Sequence, residues 1–366
     1  MPSLFQRLMN ATRLTRAGDL RAATAAIQAA LADGSSTATS TAAGDPHVID
    51  VAAREVDVPS LAAALSHDDA GEGVAAPPPP MPRRSGRGEF VAGSYVCAAG
   101  ARDYKLFVPP AAGTRALSLV VMLHGCTQDP DDFAAGTAMN DAALDHGFFV
   151  LYPAQSPQAN PQRCWNWFKH NHQARGRGEP ELLAGMTRDV MARHAIDPAR
   201  IYVAGLSAGG AMAAILGDAY PDLFAAVAVH SGLATGVAKD LPSALGAMKG
   251  SGARPDGVAS GVATIVFHGD ADATVHPGNG DHVVAASVGT GHSETEKGVS
   301  AGGRGYSRSV HRGPGGEVVA EHWVVHGAQH AWSGGNAKGS YTDPRGPDAT
   351  AEMVRFFMEH PHRARH

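Results

Sequence analysis

Ile201–Tyr202–Val203–Ala204–Gly205–Leu206–Ser207–Ala208–Gly209–Gly210 is the stretch on which the fold turns. Its first half is a short, apolar, β-branched run, the pattern of a strand buried in a parallel sheet. Ala211–Met212–Ala213–Ala214–Ile215–Leu216 then reads as a helix. A strand that turns through Gly-x-Ser-x-Gly into a helix is the context in which that motif forms a nucleophile elbow. Gly205 and Gly209 lack Cβ and leave room for the backbone that crowds a strained turn. The helix behind the turn aims its dipole at negative charge developing near Ser207.

Outward from the elbow, strand-like and helix-like runs alternate. Tyr104–Val108, Leu117–Leu123, Phe148–Tyr152, Phe224–Val229, Val262–Phe267 and Val318–Val325 read as strands. Met139–His146, Glu179–His194 and Ala349–Glu359 read as helices, and Asp197–Pro198 reads as a turn into the elbow strand. The fold class expected from this order is α/β, a mostly parallel central sheet with helices on both faces.

The chain has 366 residues, 44% hydrophobic and 18% charged, enough for one large domain and an extension. A net charge of −5 gives no nucleic-acid footprint. No apolar run approaches the roughly 20 residues of a membrane span. Arg7, Arg13, Arg16 and Arg21 interrupt the N-terminus, so no signal-peptide core is visible and the expected location is cytoplasmic. Residues 1–34 read as a helical segment, two short helices broken at Gly18. Residues 35–89 read as a low-complexity Pro/Ala/Gly/Ser linker with a short helix near Leu61–Leu65, and residues 90–366 read as the main domain.

A serine hydroxyl needs a base, and the base needs an acid to orient it. After Ser207, Phe267–His268–Gly269–Asp270–Ala271–Asp272 places two acids beyond a buried strand. Val324–Val325–His326–Gly327–Ala328–Gln329–His330–Ala331–Trp332 follows another strand. His330 stands beyond the glycine turn and is the expected base, with His276, His322 and His326 as competitors. The oxyanion needs two N–H donors. Ala208 supplies one, directly after the serine. The Leu123–His124–Gly125–Cys126–Thr127–Gln128 loop supplies the other, expected at Cys126. No compact Cys/His spacing points to a metal.

Five motifs together resemble the polyhydroxybutyrate (PHB) depolymerase-type esterases. They are His124–Gly125–Cys126–Thr127–Gln128, Cys164–Trp165–Asn166–Trp167–Phe168, Gly205–Leu206–Ser207–Ala208–Gly209–Gly210, Phe267–His268–Gly269 and His330–Ala331–Trp332–Ser333–Gly334–Gly335. The resemblance spans about Tyr104 to Phe357 and implies an α/β-hydrolase fold that hydrolyses short-chain hydroxyalkanoate esters without a cofactor. The family's acid lies in Gly-x-x-Asp-x-x-Val, which matches Gly269, Asp272 and Val275 and selects Asp272 over Asp270. His124, Gln128, Trp165 and Trp332 are the expected substrate-binding residues, with Trp167 a further aromatic that could line an acyl groove. Cys126 and Cys164 lie in two of these motifs and form a disulfide candidate, leaving Cys97 over. Many members of the resembled family are extracellular. The implied partner is a polyhydroxyalkanoate polymer or oligomer, or a small ester, with granule contact through the N-terminal helices. A feruloyl- or acetyl-type carboxylesterase keeps the same triad, and a non-catalytic granule-associated protein discards it.

Overall fold

Leu117–Leu123 (β3) is buried along its whole length, and its side chains alternate between two cores. Leu119, Val121 and Leu123 enter one, while Val120 and Met122 enter the other. A strand covered on both faces has no polar side to show, which is why the sequence there is apolar at every position but Ser118.

The computed structural model describes residues 86–252, 261–288 and 292–362. The N-terminal helical segment (1–34), the Leu61–Leu65 helix and residues 35–85 of the linker lie outside the described residues. The chain divides into two units between Pro78 and Pro79, and everything described belongs to the second.

Strands β1 (Glu89–Cys97), β2 (Gly100–Val108), β3, β4 (Phe149–Pro153), β5 (Ile196–Leu206), β6 (Ala226–His230), β7 (Ala263–Gly269), β8 (His292–Val299), β9 (Gly305–Arg312) and β10 (Val318–Val325) form one sheet. Its order is β1-β2-β4-β3-β5-β6-β7-β10-β9-β8. The middle, from β4 to β10, is parallel, and the wings β1–β2 and β9–β8 are antiparallel. Seven α-helices are described: α1 (Pro130–Thr137), α2 (Met139–His146), α3 (Gly178–Arg193), α4 (Ala208–Ala219), α5 (Leu241–Met248), α6 (Gly278–Ser287) and α7 (Ala349–Glu359). Residues of α3 to α6 join the core on one face of the sheet, and residues of α1, α2 and α7 join the core on the other. The expected mostly parallel sheet with helices on both faces is what forms.

Two expectations need correction. Asp197–Pro198 is not a turn ahead of the elbow strand, because β5 already pairs with β3 at Ile196. Leu117 faces Ile196 and Leu119 faces Ile201, so the extra residues of β5 bulge out between those pairs. The antiparallel wings were not anticipated either. Seven of the eight side chains of β8 are exposed, so no alternation of polar and apolar residues marks that strand.

Candidate active site

Parallel strands deliver their C-terminal ends to one edge of a sheet, where ligand-handling loops gather. Here β5, β6, β7 and β10 are consecutive neighbours, so the loops bearing Ser207, Asp272 and His330 leave the same edge. Ser207 follows β5 with φ 58° and ψ −119°, a conformation an L-residue holds only when its surroundings enforce it. The enforcement is visible. Its N–H donates to His230 O at 2.9 Å, and its carbonyl accepts the Ala211 N–H at 2.9 Å to start α4. A Cβ on Gly209 would lie 2.0 Å from Leu123 O, so only glycine lets α4 approach β3 this closely.

The acid and histidine loops are tied to each other. Ala271 N donates to Ala328 O at 3.1 Å and Asp270 N to Val325 O at 3.1 Å. Asp272 Oδ1 accepts the amides of Thr274 and Val275, each at 2.9 Å. Its Oδ2 lies 2.7 Å from His330 Nδ1. A carboxylate only accepts, so Nδ1 carries a proton, and in the neutral ring Nε2 keeps its lone pair. Burial would raise the Asp272 carboxyl, but hydrogen bonds from His268 and His330 outweigh it and hold the group well below the usual carboxylate range. Asp270 makes a parallel pair with His326 Nδ1 at 2.9 Å and caps the Gly327 amide at 2.6 Å. That second pair is exposed, with side chains 41% and 44% accessible, against 0% and 12% for Asp272 and His330.

The loop expected to hold the oxyanion is braced from within. Gln128 Oε1 accepts the Gly125 N–H at 2.9 Å, and its Nε2 donates to Asp132 Oδ2 at 2.8 Å. Thr127 N donates to Gln162 O at 2.7 Å. Between these committed amides, that of Cys126 makes no hydrogen bond among the described residues. Ala208 opens α4, where an amide has no intrahelical acceptor. Cys126 and Cys164 are joined by a disulfide, with Cα atoms 4.2 Å apart, and Cys97 is a free thiol. The bridge fastens the Gly125–Gln128 loop to the tryptophan loop.

Both cysteines, Ser207 and Ala208 line a cavity of about 340 Å3, together with Trp167, Phe168 and residues of α5. Ser207 Oγ has no hydrogen bond to His330 among the described residues; such contacts often close only around substrate. The residues expected to bind substrate sit elsewhere. His124, Gln128, Trp165 and Trp332 are all buried. His124 Nε2 accepts the Gln155 amide at 3.1 Å, and burial pushes this imidazole down to about 4. Trp332 Nε1 donates to Thr350 Oγ1 at 3.0 Å, and its ring stacks on His230. Trp167 is the tryptophan that reaches the cavity.

Sequence reasoning missed several residues of the site. Leu241 and Leu245 bring exposed apolar surface to the cavity wall from α5. That helix had a readable start, the Asp240–Leu241–Pro242–Ser243 capping box. Glu179, buried at the start of α3, accepts Asn166 N at 2.6 Å, Asn166 Nδ2 at 2.8 Å and Gln155 Nε2 at 2.5 Å, and so holds the tryptophan loop. No local signal announces that role. Among the described residues no group of three or more His, Cys, Asp or Glu is arranged to hold a metal, and no helix is long and apolar enough to cross a membrane.

The family model for esterase PHB depolymerase matches residues 102–294, which include Ser207 and Asp272 and stop short of His330. Poly(3-hydroxyalkanoate) depolymerase C of Paucimonas lemoignei is 33% identical over 227 residues, 58% of this chain and 54% of the relative. Feruloyl esterase B of Thermothelomyces thermophilus is 33% identical over 140 residues, 38% of this chain and 47% of the relative. The chain thus spans about half the length of these curated relatives. Among solved structures, acetyl xylan esterase from Aspergillus awamori aligns with a TM-score of 0.57 at 18% identity, covering 74% of this chain and 99% of its own. At that identity the likeness speaks for the fold alone, the sheet and helices of an α/β-hydrolase.

Proposed function

We propose for this chain, which belongs to the esterase PHB depolymerase family, a serine-esterase mechanism carried by Ser207, His330 and Asp272. His330 Nε2 takes the hydroxyl proton as Ser207 Oγ attacks the ester carbonyl. The amides of Cys126 and Ala208 hold the oxyanion, and the alcohol leaves with the proton from His330. Water, activated by the same imidazole, then releases the acid and restores the serine. Asp272 keeps the imidazole in the tautomer that leaves Nε2 free. The observation that carries this reading is the part-buried 2.7 Å contact between Asp272 Oδ2 and His330 Nδ1, on the sheet edge where Ser207 sits on its strained turn.

The substrate we propose is poly- or oligo-(3-hydroxybutyrate) or a similar short-chain aliphatic ester. The largely apolar cavity of about 340 Å3 beside Ser207 suits a short acyl unit, and the depolymerase from Paucimonas lemoignei is a relative. A second reading, a feruloyl- or acetyl-type carboxylesterase with the same three residues, draws on the feruloyl esterase relative and on Trp167 and Phe168 in the cavity wall. We further propose that residues 90–366 form the hydrolase domain, with residues 1–34 and 35–89 as an appended helical segment and linker.

Release of 3-hydroxybutyrate from polymer and oligomer, measured beside release of ferulate and acetate from their esters, decides between the substrates. In the same assays Ser207→Ala is expected to lower kcat by about 10⁴–10⁶ while leaving the circular dichroism spectrum unchanged. Near-native turnover by a folded Ser207→Ala protein would end the serine-esterase reading.

A further inference from the structure

We infer that His268 is a positioning residue for Asp272, its Nε2–H shared between the Val275 carbonyl and Asp272 Oδ2 so that the acid loop is clamped with its carboxylate towards His330. The inference rests on the triad reading above and adds to it a second imidazole on the acid.

His268 is the penultimate residue of β7 and is 1% exposed. Its Nε2 lies 2.9 Å from Val275 O and 3.4 Å from Asp272 Oδ2. Both neighbours are acceptors, so Nε2 carries the proton. Val275 is held twice, because its own N–H donates to Asp272 Oδ1 at 2.9 Å. The Asp272–Val275 loop is therefore closed on one side by the carboxylate and on the other by His268. Oδ1 is filled by two backbone amides, and Oδ2 takes the short contact from His330 and the longer one from His268.

The other face of His268 fits this tautomer. Nδ1 is buried and has no hydrogen-bond partner among the described residues. It faces α6, where a Cβ on Gly280 would lie 3.1 Å from it. The same point lies 3.0 Å from His322 Nε2, which is also buried and unpartnered. No carboxylate or carbonyl stands there to accept a proton from Nδ1. The titratable groups around His268 are Asp272, His330 and His230 on the triad side and His322 on the β10 side. Asp281 stands 3.6 Å from His322 Nδ1, on the far side of that ring, and His311 lies beyond.

The consequence has a definite sign. An N–H that donates to Asp272 takes up part of its negative charge, and less is left to stabilise an imidazolium at His330. Removing the donor raises the affinity of His330 for a proton, so the base is lost to protonation at a higher pH. The acid limb of kcat/KM reports that event.

The test compares the pH profiles of the native enzyme, His268→Leu and His268→Gln on a soluble ester, with Asp272→Asn as a control. For His268→Leu the expected result is a kcat lower by about ten- to a hundredfold. Its acid limb should move up by about half to one pH unit. His268→Gln returns an N–H close to the Nε2 position and should keep the native limb. A drop in kcat with the limb unmoved in His268→Leu, or a limb shifted equally in both variants, overturns the inference. If His268→Leu does not fold, the native protein still decides: ¹⁵N spectra should find His268 protonated at Nε2 and bare at Nδ1, and the opposite tautomer overturns it. Native activity in Asp272→Asn would instead remove the triad reading itself. An inactive Asp272→Asn beside a native-like His268→Leu removes only the role of His268.

Discussion

Lowering the pH from 7 to 5 should destabilise the folded protein by about 4 kcal/mol through two imidazoles that the fold keeps dry. His124 and His230 are each 1% exposed. Burial pushes them from an ordinary value near 6.5 down to about 4 and about 3, and for His230 the neighbouring His268 and His330 push the same way. An unfolded chain therefore takes up these two protons near pH 6.5, while the folded chain refuses them until the pH is much lower. Wherever the unfolded state holds more protons, stability rises with pH, so it falls as the pH drops from about 6.5 towards those depressed values. The window from 6.5 to 5 is about 1.5 units, worth roughly 2 kcal/mol for each group at about 1.4 kcal/mol per unit. His322, buried and also pushed down, adds in the same direction. The depressed carboxylates Asp272 and Glu179 do not enter this window, because their contribution is lost only below the unfolded carboxylate value near 4. Against a total stability of about 5–15 kcal/mol the expected loss is large. Urea unfolding at the two pH values measures it. His230→Gln, which keeps an acceptor for the Ser333 amide, should remove about 2 kcal/mol of that loss. Equal stability at pH 7 and pH 5 would refute the reasoning.

Asp272→Asn should lower kcat by about 10²–10⁴, because only that acid fixes the His330 tautomer. Asp270→Asn, which touches the exposed His326 instead, should change kcat little; a reversed order would reassign the acid. The Cys126–Cys164 bridge closes a loop of 38 residues, worth about 3–4 kcal/mol by loop entropy. Reduction should lower the melting temperature and slow turnover together, and thiol titration of the unfolded, unreduced protein should find one thiol, Cys97, whereas three would contradict the bridge. Deleting residues 1–87 should leave a folded protein that still hydrolyses small soluble esters, since β1 begins at Glu89. An insoluble product would show that the deleted part is needed by the domain.

Much of the fold was legible because burial on both faces writes itself into sequence. The bounds of β3, β10, α2 and α7 agree with their apolar runs or periods. The wings were not legible: β8 is a line of exposed, mostly polar side chains held by pairing with β9, and pairing leaves no mark on composition. The same limit applies at the site. Ser207 and His330 follow strands and glycine turns and could be read in place, but Asp270 and Asp272 are equivalent in local sequence, and only the family pattern chose between them. Their difference is three-dimensional, one pairing with the exposed His326 and the other with the half-buried His330. Which tryptophan meets the cavity was equally hidden. Trp165 and Trp167 differ by two positions, and the backbone path beside the disulfide, held by Glu179, turns the second towards Ser207. His124 and Gln128 look like ligand contacts in a list of motifs, yet their polar atoms are spent inside the protein.

The order of strands in the sheet also has a consequence in time. The elbow strand lies near the middle of the chain, and the strands that bring the acid and the histidine to its edge follow later in synthesis. At about 5–20 residues per second, a ribosome exposes Ser207 for on the order of ten seconds before His330 exists. Within that interval β7 and then β10 are added to complete the sheet beside the serine, and the histidine proposed as its base comes last. On the proposed mechanism, the nascent polypeptide gains its ester-cleaving power only when the late strands dock.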